Sequence, residues 1–155
     1  MCFEMTFKKN TAYLIKNAYS RKVLSGLDID DGIIILGDKK IYFIDARYFY
    51  EVKDLIVNEG FTPILYESEQ TIKSFVKENK IKTLYIDFDT TTLTEYDALK
   101  KLGVKLKDGG PSLRKSRSVK SQTEIDKIAK SCSIIEEALF HGISMLKLGV
   151  TENTI

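Results

Sequence analysis

Cysteine, histidine and long apolar runs are all scarce in this chain, and each scarcity closes off a class of function. The two cysteines, Cys2 and Cys132, make neither a CxxC pair nor a metal-ligand spacing. A disulfide scaffold and a cysteine-based zinc site are therefore unsupported, and a reduced, cytoplasmic setting is the simplest expectation. His141 is the single histidine. On its predicted helix the one carboxylate within a turn is Glu137, at i−4, so a surface or interface role is expected rather than metal ligation. No metal site is expected within the chain. No apolar stretch approaches the ~18 residues that a membrane span needs. The longest, Ile33-Ile34-Ile35-Leu36, is strand-sized. Residues 1–10 hold Glu4, Lys8 and Lys9 among scattered apolar residues, which is not the uninterrupted core of a signal peptide. There is no internal repeat, no low-complexity tract, no glycine-rich phosphate loop and no Ser/His/Asp set.

What is present suits one compact soluble domain with an appendage. The chain has 155 residues, 43% hydrophobic and 30% charged, which is ordinary for a globular protein. Net charge is +2 with both signs mixed along the chain. A nucleic-acid binder usually concentrates its cations. The nearest approach is Arg114, Lys115, Arg117 and Lys120 within Leu113–Lys120, and that run reads as a solvated linker. Neither nucleic acid nor membrane is expected as a partner.

Strand and helix signals alternate through the first 110 residues. Ala12-Tyr13-Leu14-Ile15 reads as a strand, and Tyr19 to Leu24 as a helical turn ending at Gly26. Ile33–Leu36 and Ile41–Asp45 flank the turn Gly37-Asp38-Lys39-Lys40 and predict a hairpin. A helix follows from Arg47 to Glu59, with Tyr48, Val52, Leu55 and Ile56 as its apolar stripe. Two further strand–helix units run from Pro63 to Asn79 and from Thr83 to Leu102, and Val104-Lys105-Leu106 is a last short strand. The pattern predicts an α/β fold, a mixed sheet flanked by helices. Asp108-Gly109-Gly110-Pro111-Ser112 interrupts it and marks a domain edge. The expected organisation is a domain over 1–110, a basic linker over 111–120, and the start of a second domain over 121–155.

Ser121-Gln122-Thr123-Glu124 fits the capping box, and a helix of about seven turns should run from it toward Leu146. Ile125, Ile128, Ala129, Cys132, Ile135, Leu139, Ile143 and Leu146 share one broad face. Ile134, Ala138 and Met145 form a second stripe opposite. A helix apolar on both sides calls for cover on both sides, from a further domain, a second copy of the chain, or both. Ile134, Ala138 and Met145 are therefore candidate interface residues. Thr151 reads as the N-cap of another helix.

Two stretches give this chain a resemblance to the creatinase, prolidase and Xaa-Pro aminopeptidase superfamily. Val23-Leu24-Ser25-Gly26-Leu27, Asp31-Gly32-Ile33 and Asp45-Ala46-Arg47-Tyr48 follow the order of that family's "YLTGF", glycine-led strand and "D-x-R-Y" segments, with Val23 and Leu27 replacing the aromatics. Arg117-Ser118-Val119-Lys120-Ser121-Gln122-Thr123-Glu124-Ile125, then Ile128, Ser131 and Gly149-Val150-Thr151-Glu152, resemble the family's interdomain signature. Ile86-Asp87-Phe88-Asp89 with Leu93, Tyr96 and Leu99 is similar to its third strand–helix unit. The resemblance covers about residues 12 to 155.

The resemblance implies a ribonuclease-H-like amino-terminal domain cut off soon after a pita-bread catalytic domain begins. The parent would be a metal-dependent exopeptidase acting next to proline. It would hold two divalent metal ions, such as manganese, on two Asp, one His and two Glu located beyond Ile155, so no catalytic residue falls here. Such ions clamp the attacking water and the polarised carbonyl. The implied partners are the catalytic domain, a second copy in a homodimer, and peptide substrate. Family domains of this kind lean over a neighbouring subunit's active site, which makes Asp28, Arg47 and Tyr48 candidate substrate-gating residues.

Other chemistries compete for particular residues. Tyr85-Ile86-Asp87-Phe88-Asp89-Thr90-Thr91 matches the hhhDxDxT pattern of phosphatases whose first Asp is the nucleophile, but no acidic pair beside a strand follows it. Asp28, Asp30 and Asp31 form an acidic loop able to hold a cation, though without the spacing of a known loop motif. A stand-alone binding module with the same fold is the remaining alternative.

Overall fold

The computed structural model describes residues 7–154. Two compact units divide the chain, one running to Ser118 and one from Val119.

The first unit is built on a six-stranded sheet: β1 (Thr11–Ile15), β2 (Ile33–Leu36), β3 (Lys40–Asp45), β4 (Thr62–Tyr66), β5 (Thr83–Ile86) and β6 (Lys105–Asp108). Their order across the sheet is β4-β3-β2-β1-β5-β6. β2 runs antiparallel to both neighbours, and the pairs β3–β4, β1–β5 and β5–β6 are parallel. The mixed sheet expected from the sequence is therefore present. The hairpin is the β2–β3 pair, in which Ile34 faces Tyr42 and Ile35 faces Ile41.

The helices are α1 (Ala18–Ser25), α2 (Ala46–Asn58), α3 (Glu69–Glu78), α4 (Leu93–Lys100) and α5 (Gly110–Ser118). α2 connects β3 outward to β4, and α4 connects β5 outward to β6 in the opposite direction. Right-handed crossovers stepping in opposite directions place such helices on opposite faces. The core reflects this. Leu14, Ile33, Ile35, Phe43, Leu84 and Ile86 pack on the side of Ile72 and Val76 of α3 and Tyr96 and Leu99 of α4. Ile15, Ile34, Tyr42 and Ile44 pack on the other side with Val52 and Ile56 of α2 and Leu113 of α5. Alternation along each strand thus loads both faces, which accounts for the unbroken apolar reading of β2.

Two expectations need correction. Leu55, assigned to the buried stripe of α2, is 51% exposed. Tyr48, Val52 and Ile56 repeat at i, i+4, i+8 along the buried line, with Phe49 beside them, and Leu55 falls about 100° off it. More consequentially, the segment expected as a linker over 111–120 is largely helix. α5 spans Gly110–Ser118, and its Leu113 is 1% exposed. Gly-Pro-Ser opens it because proline is tolerated in a first helical turn, and its helicity comes from packing rather than propensity.

The second unit is α6 (Gln122–Met145), followed by a short 3-10 turn, Glu152–Thr154. The capping box is formed: Ser121 Oγ accepts from the Glu124 backbone N–H, and the Glu124 carboxylate accepts from the Ser121 N–H. Those bonds hold the Glu124 carboxyl below its ordinary pKa. The helix buries none of its residues. Ile134 is 57% exposed, Ala138 is exposed and Met145 is half-buried, while Ile128, Ile135 and Leu139 on the broad face are also exposed. Cys132 is a free, exposed thiol.

Candidate functional site

The carboxyl ends of β1, β3, β4, β5 and β6 lie along one sheet edge. In open α/β sheets that edge is where loops converge on ligands. Two clusters of charged side chains occupy it.

The first gathers around α1, the β2 entry and the start of α2. Asp45 caps α2, its Oδ1 accepting from the Arg47 backbone N–H at 2.9 Å and from Arg47 Nε at 2.8 Å. These bonds, the backbone one foremost, keep the Asp45 carboxyl below the ordinary range, and the carboxylate in turn raises the Arg47 pKa. Arg47 Nη2 reaches Asp31 Oδ2 at 3.5 Å, so Arg47 links the helix start to the acidic loop. Its guanidinium carbon lies 5.4 Å from the centre of the Tyr48 ring. The structure therefore brings Arg47 and Tyr48 together with Asp31. Asp28 is held elsewhere, its Oδ2 2.5 Å from Lys22 Nζ.

Beneath that loop sits Arg21, only 4% exposed. It donates to four backbone carbonyls: Lys16 (2.9 Å), Gly32 (2.6 Å), Ile29 (3.0 Å) and Asp30 (2.8 Å). A buried guanidinium here is stabilised by carbonyl dipoles rather than by a carboxylate. Gly32 is required beside it. Its φ is +133°, and a Cβ would lie 2.5 Å from a Tyr42 ring carbon and 2.9 Å from the Phe43 carbonyl oxygen. The Tyr42 hydroxyl is buried and makes no hydrogen bond of good geometry, its nearest polar neighbour being the guanidinium of Arg21. Burial pushes its pKa up, and the nearby charge of Arg21 opposes that shift. Sequence reasoning missed Arg21. A lone arginine in a short helix carries no signal until the loop folds over it.

The second cluster lies where β5 and β6 end. Asp87 is buried, with one carboxylate oxygen 3.3 Å from Arg114 Nη1 and accepting from the Asp89 N–H at 3.2 Å. Its other oxygen is buried and unpartnered. Arg114 also pairs with Asp89. Asp108 Oδ1 accepts from the Gly110 N–H at 2.9 Å, opening α5. A Cβ on Gly110 would lie 2.4 Å from Asp87 Oδ1 and 2.7 Å from Arg114 Nη1, so a larger residue would have to push that ion pair aside. Both aspartates of the DxD pattern are therefore occupied by Arg114, and α5 closes over Asp87. A phosphatase nucleophile needs the reverse, an open carboxylate that a phosphoryl group can approach. Three residues further along α5, Arg117 Nη1 donates to Ser20 Oγ at 2.6 Å and to Asn17 Oδ1 at 3.3 Å. The basic run read as a linker thus supplies two anchors of α5.

On the α3/α4 side of the same edge, Lys16 Nζ and Glu95 Oε1 are 2.5 Å apart at the mouth of a cavity of about 80 Å³ lined by Leu14, Ile33, Tyr66 and Leu99. The Lys16 bond, with the Thr92 backbone N–H, lowers the Glu95 pKa to about 2. The cavity is far smaller than the ~300 Å³ from which ordinary small-molecule sites begin. Among the described residues no group of three His, Cys, Asp or Glu is placed to hold a metal ion, and no helix is long and apolar enough to cross a membrane.

Comparison with known proteins gives this architecture its place. The family model described as Creatinase/Prolidase N-terminal domain matches residues 4–119.

The chain belongs to the Creatinase/Prolidase N-terminal domain family.

The matched stretch takes in α5, which supports counting that helix with the sheet. Among solved structures, the chain is similar to the Xaa-Pro dipeptidase from Bacillus anthracis, with a TM-score of 0.82 and 22% identity over 92% of this chain and 41% of that one. It is also similar to the X-Pro aminopeptidase from Thermotoga maritima, with a TM-score of 0.76 and 23% identity over 93% of this chain and 43% of that one. The prolidase from Pyrococcus furiosus follows, with a TM-score of 0.72 and 19% identity over 92% and 42%. At these identities the likeness is one of fold. The chain spans about two fifths of the length of these three proteins. No curated protein matches it significantly.

Proposed function

We propose that this chain is the non-catalytic, amino-terminal dimerisation and substrate-gating domain of a metal-dependent Xaa-Pro aminopeptidase or prolidase. The family match over residues 4–119 carries the reading. The charged sheet edge supports gating. Arg47 and Tyr48 stand exposed or half-exposed at the start of α2, and Arg21 fixes the neighbouring loop from below. The two apolar stripes of α6 support association, because a helix exposing Ile134 as well as Ile135 and Leu139 has apolar surface to bury. In this reading bond cleavage, with its two divalent ions such as manganese, belongs to a catalytic domain outside this sequence. The partners are that domain, a second copy of the protein and a proline-containing peptide, and the setting is cytoplasmic.

Light scattering of the 155-residue chain over a concentration series tests the association. The expected result is a concentration-dependent dimer, lost in Ile134→Glu. A monomer at every concentration removes the second stripe of α6 as an interface. Gating is tested in the parent enzyme, where Arg47→Ala should raise KM for an Xaa-Pro peptide several-fold with kcat little changed; unchanged KM rejects it.

A further inference from the structure

Charge in this chain is nearly balanced overall but segregated locally. Residues 100–120 hold eight of the 24 lysines and arginines and one of the 22 acids, Asp108. The remainder holds 16 cations against 21 acids, so the stretch is +7 and the rest of the chain −5. Residues 100–118 of this stretch form one end of the sheet: the last residue of α4, then β6, then α5. Two of its cations are spent inside the fold, Arg114 on Asp87 and Asp89, and Arg117 on Ser20 and Asn17. Lys100, Lys101, Lys105, Lys107 and Lys115 are exposed.

β6 is also the last strand of the sheet. Its inner edge pairs with β5, Lys105 opposite Thr83 and Lys107 opposite Tyr85. Its outer edge has no strand beside it among the described residues. Successive side chains alternate across a strand, so Lys105 and Lys107 share one face while Leu106 turns to the core on the other.

We propose that the outer edge of β6 receives an extended acidic segment of a partner protein, added as a seventh strand. Two features choose this occupant. A row of unpaired backbone N–H and C=O groups is satisfied by another peptide backbone, which a nucleic acid cannot supply. A second β6 paired so that the two sheets keep the same faces together would set lysine against lysine, and like charges opposite one another are destabilising. The partner that fits carries Asp or Glu at alternate positions facing Lys105 and Lys107, with apolar residues between them on the side of Leu106. A contact of four residues, roughly 13 Å long, makes the complex weak and salt-dependent.

Fluorescence anisotropy with the 155-residue chain and a labelled hexapeptide, Thr-Glu-Val-Glu-Val-Thr, tests this. A peptide with lysine in place of glutamate and a single-stranded oligothymidylate serve as competitors. The acidic peptide should bind at least tenfold more tightly than its lysine counterpart, weaken with added salt, and shift the backbone amide resonances of β6 first. Lys105→Glu/Lys107→Glu, at exposed positions, should retain the melting temperature, lose the acidic peptide and gain the lysine peptide. Preferential binding of the oligonucleotide, or equal binding of both peptides, overturns the proposal. So does a Lys105→Thr/Lys107→Thr variant that self-associates while the parent chain ignores the acidic peptide, since the lysines then serve only to keep the edge from pairing.

Discussion

Arg114 bonds Asp87 across 27 residues of sequence, its Nη1 3.3 Å from an aspartate oxygen whose side chain is only 7% exposed. The pair joins α5 to the end of β5, and Asp87 has little else: one bond from the Asp89 N–H and one oxygen with no partner.

Removing Arg114 therefore leaves a buried carboxylate almost unsupported. Arg114→Ala is expected to destabilise the first unit by about 1–3 kcal/mol, less than a fully buried pair because the arginine is partly exposed. In an Asp87→Asn background the same change should cost much less. Urea midpoints of the four proteins in that cycle measure it, and equal costs in both backgrounds would show that the ion pair contributes nothing.

Arg21 offers a stricter test of the loop. Arg21→Met keeps the apolar stem but strips donors from the buried Gly32 carbonyl and three part-buried ones, which should cost about 2–4 kcal/mol. Arg21→Lys, with a point charge in place of a planar fork, should recover only part of that. Amide exchange should rise first in the loop from residue 27 to residue 32. Protection there equal to the parent's would mean that the loop is held by other contacts.

Tyr42 and Gly32 predict unequal costs side by side. The buried Tyr42 hydroxyl has only a poorly aligned approach to Arg21, so Tyr42→Phe should change stability by no more than ~1 kcal/mol. Gly32→Ala places a methyl against the Tyr42 ring at a positive φ and should cost about 2–4 kcal/mol. Thermal melts of both variants decide it; a strongly destabilised Tyr42→Phe would reveal a hydroxyl partner.

The Lys16–Glu95 pair predicts a pH dependence. The Glu95 pKa is about 2 in the folded chain against an ordinary 4.5. A depressed carboxyl pKa means the folded state holds the proton more weakly, so the pair stabilises fully above pH 4.5 and its contribution is lost as pH falls from there through about 2. Solvent screening of this half-exposed pair keeps the contribution near ~1 kcal/mol or less. Lys16→Met should flatten that part of the stability–pH curve, and an unchanged slope would count against the pair.

The sequence by itself determined the order of the strands and of every helix but α5, the hairpin, the Ser121–Glu124 capping box and most of the helical stripes. These depend on residues a few positions apart, where periodicity and cap chemistry act directly. Family membership was legible for the same reason, since its motifs are short and ordered along the chain. The pairing of Arg47 with Asp45 and the acidic loop was also within reach, because Asp45 is two residues away and caps the same helix. Tertiary structure alone decided the rest. Residues 110–118 read as a linker because Gly-Pro-Ser and a run of cations have poor helix propensity; they fold because Leu113 finds the core and Arg114 and Arg117 find partners 27 and about 100 residues away. Arg21 became the support of a loop only once four carbonyls, 5 to 11 residues away, closed around it, and no periodic or capping pattern encodes the acceptors of a buried cation.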